Sequence, residues 1–185
     1  MHAVSRRFAA PARRAAAALR RFRAHRGGTA AIEFAIVFLP FAAFLFAIME
    51  TAIVFFASQV LETNAADAAR LVLTGQAQGG GYTQASFKSA VCQRMTGMFD
   101  CTNKLSIDVR KFSDFAAINL TAPLNANCTL SNFVYQPGGP GDIVVVRLIY
   151  QWPIGVWLWN PNIADNCPGH SKLLVATAAF RNEPY

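Results

Sequence analysis

Hydrophobic and polar positions follow three rhythms along this chain. From Phe34 to Met49 sixteen residues pass without a charge, and as a helix they cover about 24 Å at ~1.5 Å per residue. That is short of the ~30 Å hydrocarbon thickness of a bilayer. A membrane span must therefore take in Thr29 to Phe34 on one side, or Thr51 to Ala57 beyond Glu50 on the other. Either choice leaves Glu33 and Glu50 near opposite boundaries, where a carboxylate costs least. Past Glu50 the period becomes amphipathic: Leu61, Ala65, Ala68 and Val72 fall on one face, no Gly or Pro intervenes, and Gly75 supplies a C-cap. The pattern predicts one helix from about Thr29 to Thr74, apolar in its first half and a stalk in its second. Pro40 lies inside it, where a transmembrane helix tolerates a kink.

Gly79-Gly80-Gly81 then reads as a hinge or linker. Thr83 is an N-cap for a short helix running to about Met95, with Phe87, Ala90 and Val91 on its apolar side. After Cys101 the period falls to two. Leu105, Ile107 and Val109 alternate with Ser106, Asp108 and Arg110, which is the signature of a half-buried strand. Asn119 to Asn132 is polar, contains Pro123, and reads as loop. Gly138-Gly139-Pro140-Gly141 is a turn, and Asp142 to Trp152 after it is apolar enough for a central strand that Pro153 ends. Lys172 to Arg181 is the last strand, with Leu174, Ala176, Ala178 and Phe180 on one face. Helix first and strands after predict an α+β chain in three parts: a basic leader over 1–28, a transmembrane helix and stalk over 29–75, and a small disulfide-linked domain with an antiparallel sheet over 76–185.

Charge gives the span a direction. Eight of the 17 Lys and Arg residues lie within the first 28 positions, with no acid among them. Arginine bias beside a span holds that flank in the cytoplasm, so in a bacterium everything after Ser58 is expected in the periplasm. Without the leader, nine basic residues face ten acidic ones. The net charge of +7 therefore belongs to the leader, and a nucleic-acid partner is not expected. An Arg-rich, acid-free segment also fits a mitochondrial presequence.

All four cysteines (Cys92, Cys101, Cys128, Cys167) fall beyond the span, where an oxidising compartment would pair them. Three connectivities are open. Cys92 with Cys101 closes a short local loop and leaves Cys128 with Cys167, which is the favoured pairing. His2, His25 and His170 are scattered and no C-x-x-C occurs, so neither a metal site nor a cofactor is expected. Asp108, Asp114, Asp142 and Asp165 form no catalytic motif with His170, and the chain is not expected to be an enzyme. Trp152, Trp157 and Trp159, with Val156 and Leu158, read as core; lipid headgroups or a subunit interface are the alternatives.

Gly28-Thr29-Ala30-Ala31-Ile32-Glu33-Phe34, the apolar run, Ala68-Ala69-Arg70 with Thr74-Gly75, and the closing Ala176 to Tyr185 together resemble the TadE-like pseudopilins of the tight-adherence (Flp) pilus system. The resemblance is strongest over Gly27 to Gly75. It implies cutting by a prepilin peptidase between Gly28 and Thr29, which makes Glu33 the fifth mature residue and Phe34 the sixth. It also implies other pilins or pseudopilins and an inner-membrane assembly platform as partners. Phe34 and the large outer domain depart from the main-subunit pattern, where Tyr follows the Glu and the chain is far shorter. They imply a minor assembly component. Resemblance to type IV pilins further implies that the Glu33 carboxylate pairs with the new α-amine of its own or a neighbouring subunit. The competing reading is an uncleaved single-pass membrane protein whose outer domain binds a partner or ligand.

Overall fold

A computed structural model describes residues 28–95, 97–119, 129–155 and 171–185. The basic leader, Cys128, Cys167, Trp157, Trp159, Asp165 and His170 lie outside these. One helix, α1 (Thr29–Leu73), opens the described chain and carries Pro40 within it. It is followed by α2 (Gln76–Gly79), α3 (Gln84–Arg94), α4 (Cys101–Lys104), β1 (Leu105–Phe112), a single 3₁₀ turn (Phe115–Ala117), β2 (Ile143–Pro153) and β3 (Ser171–Arg181). The chain divides into two compact units, and the second runs Phe46–Tyr185.

Within that second unit a sheet of order β1-β2-β3 packs against the outer half of α1. Both pairings are antiparallel: Val109 lies opposite Val146, and Val146 opposite Ala178. β2 is central because its run of Ile, Val and Leu suits burial on both faces. Val144, Val146, Leu148 and Tyr150 are buried toward α1, and Val145 and Ile149 are buried on the other side. Ala57, Leu61, Ala65, Ala68, Leu71 and Val72 of α1 complete the core with Phe87 and Val91 of α3. Alanine at three of these six helix positions lets the helix approach the sheet closely. The C-terminal half of α1 is thus a wall of the domain's core.

Local chemistry fixes the joints. α3 starts at Thr83, whose hydroxyl accepts from the Ser86 backbone N–H at 3.2 Å while the Ser86 hydroxyl accepts from the Thr83 N–H at 2.8 Å. Gly79, which ends α2, and Gly80-Gly81 after it form a closed turn, which corrects the hinge reading. Tyr82 donates its N–H to the Ala77 carbonyl at 2.9 Å and Gly81 donates to Gln78 at 3.1 Å, with Gly81 at φ 62°; this is the Schellman pattern. Gly80 packs so tightly that a Cβ there would meet the Tyr82 ring at 2.8 Å.

α1 ends at Gly75, at φ 74°. Residues 182–185 dock on that end: the Glu183 N–H donates to the Leu73 carbonyl at 3.0 Å, satisfying one of the helix's terminal acceptors. The Tyr185 ring covers Gly75, where an added Cβ would stand 2.4 Å from a ring carbon.

β1 departs from its predicted pattern at one residue. Asp108 alternates with the core positions, yet it is 1% exposed. Its carboxylate accepts from Arg147 Nε at 3.1 Å, from Arg147 Nη2, from Arg110 Nε at 2.8 Å and from the Val134 N–H at 2.9 Å. These bonds hold the segment after Asn132 along the outer edge of β1. There Val109 donates to Val134 and accepts from Gln136, each at 2.8 Å.

Two substitutions test this account. Gly75→Ala forces a left-handed backbone and a clash with Tyr185, and is expected to cost about 2 kcal/mol or more. Asp108→Ala leaves Arg147 buried without its counter-charge and is expected to cost about 3–5 kcal/mol. Urea unfolding of the full chain in detergent reads both; a loss under about 0.5 kcal/mol for Asp108→Ala would contradict the role given to the pair.

Candidate processing and anchoring site

Gly28 sits just outside the first turn of α1, and Thr29 is the first residue of the helix. Every residue from Gly28 to Phe41 is exposed, and a Cβ built on Gly28 meets nothing within 4 Å. The Gly28–Thr29 bond is therefore open to a second protein, and nothing in the fold itself requires glycine at 28. Glu33 lies four residues after Thr29, so the two project from the same side of the helix on successive turns. An α-amine created at Thr29 would stand within reach of the Glu33 carboxylate. Phe34 is 66% exposed and stacks on Phe38, with ring centroids 5.2 Å apart and planes 18° from parallel.

The run from Ile32 to Phe56 exposes Ile32, Phe34, Val37, Phe41, Phe44, Leu45, Ile48, Phe55 and Phe56, among others. Water would make such a surface costly at roughly 25 cal/mol per Å²; lipid makes it favourable. By length and composition α1 can cross a membrane. Glu50 interrupts the run, and its carboxylate accepts the backbone N–H of Gly155, just past the end of β2. Nothing in the local sequence signalled this contact, which joins residues 105 positions apart.

The domain carries the expected disulfide between Cys92 and Cys101, whose Cα atoms are 5.7 Å apart. It ties the end of α3 to the start of α4, and Lys88 Nζ reinforces the same joint by donating to the Thr102 carbonyl at 2.9 Å. The other two cysteines lie outside the described residues. Trp152 is half-buried and meets Phe99 edge-on at 5.8 Å, while Phe99 meets Tyr150 edge-on at 4.9 Å. An open groove of about 460 Å³ runs between α1 and β3, lined by alanines together with Leu73, Phe180, Asp67 and Arg70. No nucleophile with a base faces it. Among the described residues, no three His, Cys, Asp or Glu side chains gather as metal ligands.

Charge in the domain serves structure. Asp142 accepts the Gly139 N–H at 2.8 Å and faces Lys111 Nζ at 3.4 Å, and these hold its carboxyl below the ordinary value of 3.8, the Gly139 bond most strongly. Asn182 closes the same turn through Nδ2, which donates to the Pro137 and Gly139 carbonyls at 2.9 and 3.0 Å. Burial pushes the Tyr135 phenol up to about 12, with Tyr82 adding to the effect. The residues that sequence reasoning missed are Asp108 and Arg147. Their signal was an arginine in the middle of Ile143-Val144-Val145-Val146-Arg147-Leu148-Ile149-Tyr150, a charge that a doubly covered strand admits only with a partner.

The class defined here is an α+β protein with one long apolar N-terminal helix that both fits a membrane and supplies the core of a small disulfide-bearing domain. The family model described as TadE-like protein matches residues 28–70. The matched stretch begins at the glycine before α1 and ends within its outer half, so the similarity lies in the helix and its entry. No curated protein and no solved structure gives a significant match.

The Asp142 geometry sets a pH expectation. A carboxyl with a lowered folded pKa contributes its stability above the ordinary carboxylate range and loses it as pH falls through the folded value. Carboxyl-carbon NMR should place the Asp142 midpoint below 3.8. In Lys111→Ala it should rise but stay below that value, because the Gly139 bond remains; a wild-type midpoint at or above 3.8 would contradict the turn geometry.

Proposed function

We propose that this chain is a membrane-anchored, pilin-like component of tight-adherence pilus assembly, processed by a prepilin peptidase after Gly28. The observation that carries the reading is the TadE-like match beginning at Gly28, at an exposed glycine directly before a helix of spanning length. The family points to pilus assembly as the process. The peptidase, the other pilins or pseudopilins and the inner-membrane platform follow from the same resemblance.

Physical chemistry gives the cut a purpose. The leader's arginines hold the N-terminus on the cytoplasmic side, and removing them leaves a helix with a single new amine at Thr29. A carboxylate near the hydrocarbon is costly until it meets a cation. Before processing Glu33 has no such amine; afterwards the amine of its own chain lies one helical turn away, and a neighbouring chain can offer another. Cleavage thereby permits helices to pack side by side in the membrane. The chain's role in this scheme is structural. Its anchor lies in the bacterial inner membrane and its domain, residues 76–185 with the outer face of α1, in the periplasm.

Gly28→Ala and Glu33→Ala separate the two steps. Because Gly28 has open space around it, alanine there leaves the fold intact and tests recognition alone. Expressed in the native host, Gly28→Ala should accumulate at full precursor mass, a loss of processing of at least tenfold. Glu33→Ala should be largely cut but should fail to restore pili to a deletion strain. Normal processing of Gly28→Ala together with normal piliation in both variants would overturn the proposal.

A further inference from the structure

The two sides of α1 differ around Glu50. Glu50 shares a side with Ala57, Leu61 and Ala68, seven, eleven and eighteen residues on, which is the side packed into the domain. The opposite side carries Phe41, Ile48, Ala52, Phe55 and Phe56 and meets its first polar residue at Gln59. Phe55 is 68% exposed and Phe56 is 59% exposed, so the apolar surface continues unbroken past Glu50. Phe56 stands six residues higher, about 9 Å along the axis at ~1.5 Å per residue.

Glu50 also marks the height of Gly155, the last described residue after β2. Its carboxylate accepts the Gly155 N–H, which places the Pro153-Ile154-Gly155 turn at that level. Exposed phenylalanines on the far side of α1 therefore reach higher than Gly155. Tilt explains only part of the offset: a helix ~10 Å across, inclined by ~20°, displaces its two sides by about 3.5 Å. The remaining ~5.5 Å falls within the ~5–7.5 Å depth of one headgroup layer, since a bilayer of ~40–45 Å encloses a core of ~30 Å.

We propose that the phospholipid headgroup layer of the membrane is a binding surface for the domain: the Pro153-Ile154-Gly155 turn is immersed in it, with Phe55 and Phe56 at its outer margin on the far side of α1. Glu50 makes this possible. A bare carboxylate at the edge of the hydrocarbon is expensive, whereas one that accepts a backbone N–H satisfies itself and a backbone donor that would otherwise lack a partner. Trp152, one residue before Pro153 and only half-buried, is of the type favoured at that depth. The domain is seated in the membrane surface and is not raised above it on a stalk.

This inference rests on the reading of α1 as a membrane span, and the test separates the two. The full chain, with p-benzoylphenylalanine placed singly at Phe44, Phe56, Pro153 or Glu62, is reconstituted in vesicles of phosphatidylethanolamine and phosphatidylglycerol, irradiated and weighed by mass spectrometry. Ser171, opposite Pro153 in the sheet, replaces that position should its variant fail to fold. Phospholipid adducts are expected at 44, 56 and 153, at least tenfold above the yield at 62. Adducts at 44 but none at 153 or 171 would overturn the seating. So would a second protein chain in place of lipid at 56, or equal adducts at 62. Absence of lipid at 44 as well would overturn the membrane-anchor reading itself.

Discussion

Burial of one face of α1 against the sheet is the interaction on which the rest of the second unit depends. Among the described residues the sheet has three strands, whose apolar face must be covered by another layer, and α2 and α4 are single turns. Leu61, Leu71 and Val72, with alanines between them, supply the apolar surface that β1, β2 and β3 need on one side. One turn below Ala57 the same helix turns Phe55 and Phe56 outward while Val54 still packs on the core. Its composition suits lipid in its first half and a protein core in its second, and the change falls at Glu50 to Ala57.

Everything else in the domain secures that face. The C-terminal residues close over the end of α1 through Glu183 and Tyr185. The Schellman turn at Ala77 to Tyr82 reverses the chain so that α3 can bring Phe87 and Val91 onto the core. The disulfide and the Lys88 bond fix α3 to the start of β1. Asp108, bonded to two arginines and to the Val134 amide, ties the outer edge of the sheet to the segment that covers it. A buried ion pair adds little net energy once desolvation is counted. Its value here is geometric, because few other registers of β1 on β2 place Asp108 beside Arg147.

Where local chemistry decides, the sequence could be read. The uncharged run, the Gly75 stop, the Thr83 cap, the Val-rich central strand ending at Pro153 and the short Cys92–Cys101 loop all rest on contacts between near neighbours in the chain, and the structure agrees at each. The departures share a different cause. Asp108 alternates as a solvent-facing residue should, and only the cover on the second face of β1, from residues more than twenty positions on, buries it. Three consecutive glycines look the same whether they flex or close a turn; the Tyr82 ring and the buried Ala77 decide for the turn. Tyr185 over Gly75 and Gly155 on Glu50 join residues about a hundred positions apart, and no periodicity encodes such contacts. For the candidate site, Gly28, Thr29, Glu33 and Phe34 stand as spaced in the sequence because a helix translates spacing directly into position.

The central claim is that the leader is a device for placing and then releasing the helix that begins at Thr29. Its most direct test is the N-terminal residue of the protein isolated from its native membranes, determined by mass spectrometry of intact and digested material. The account predicts a mature chain that starts at Thr29, with Glu33 fifth. A mature protein that retains Met1, or one cut upstream of Gly27, would contradict it and would return the basic segment to the working parts of an uncleaved membrane protein.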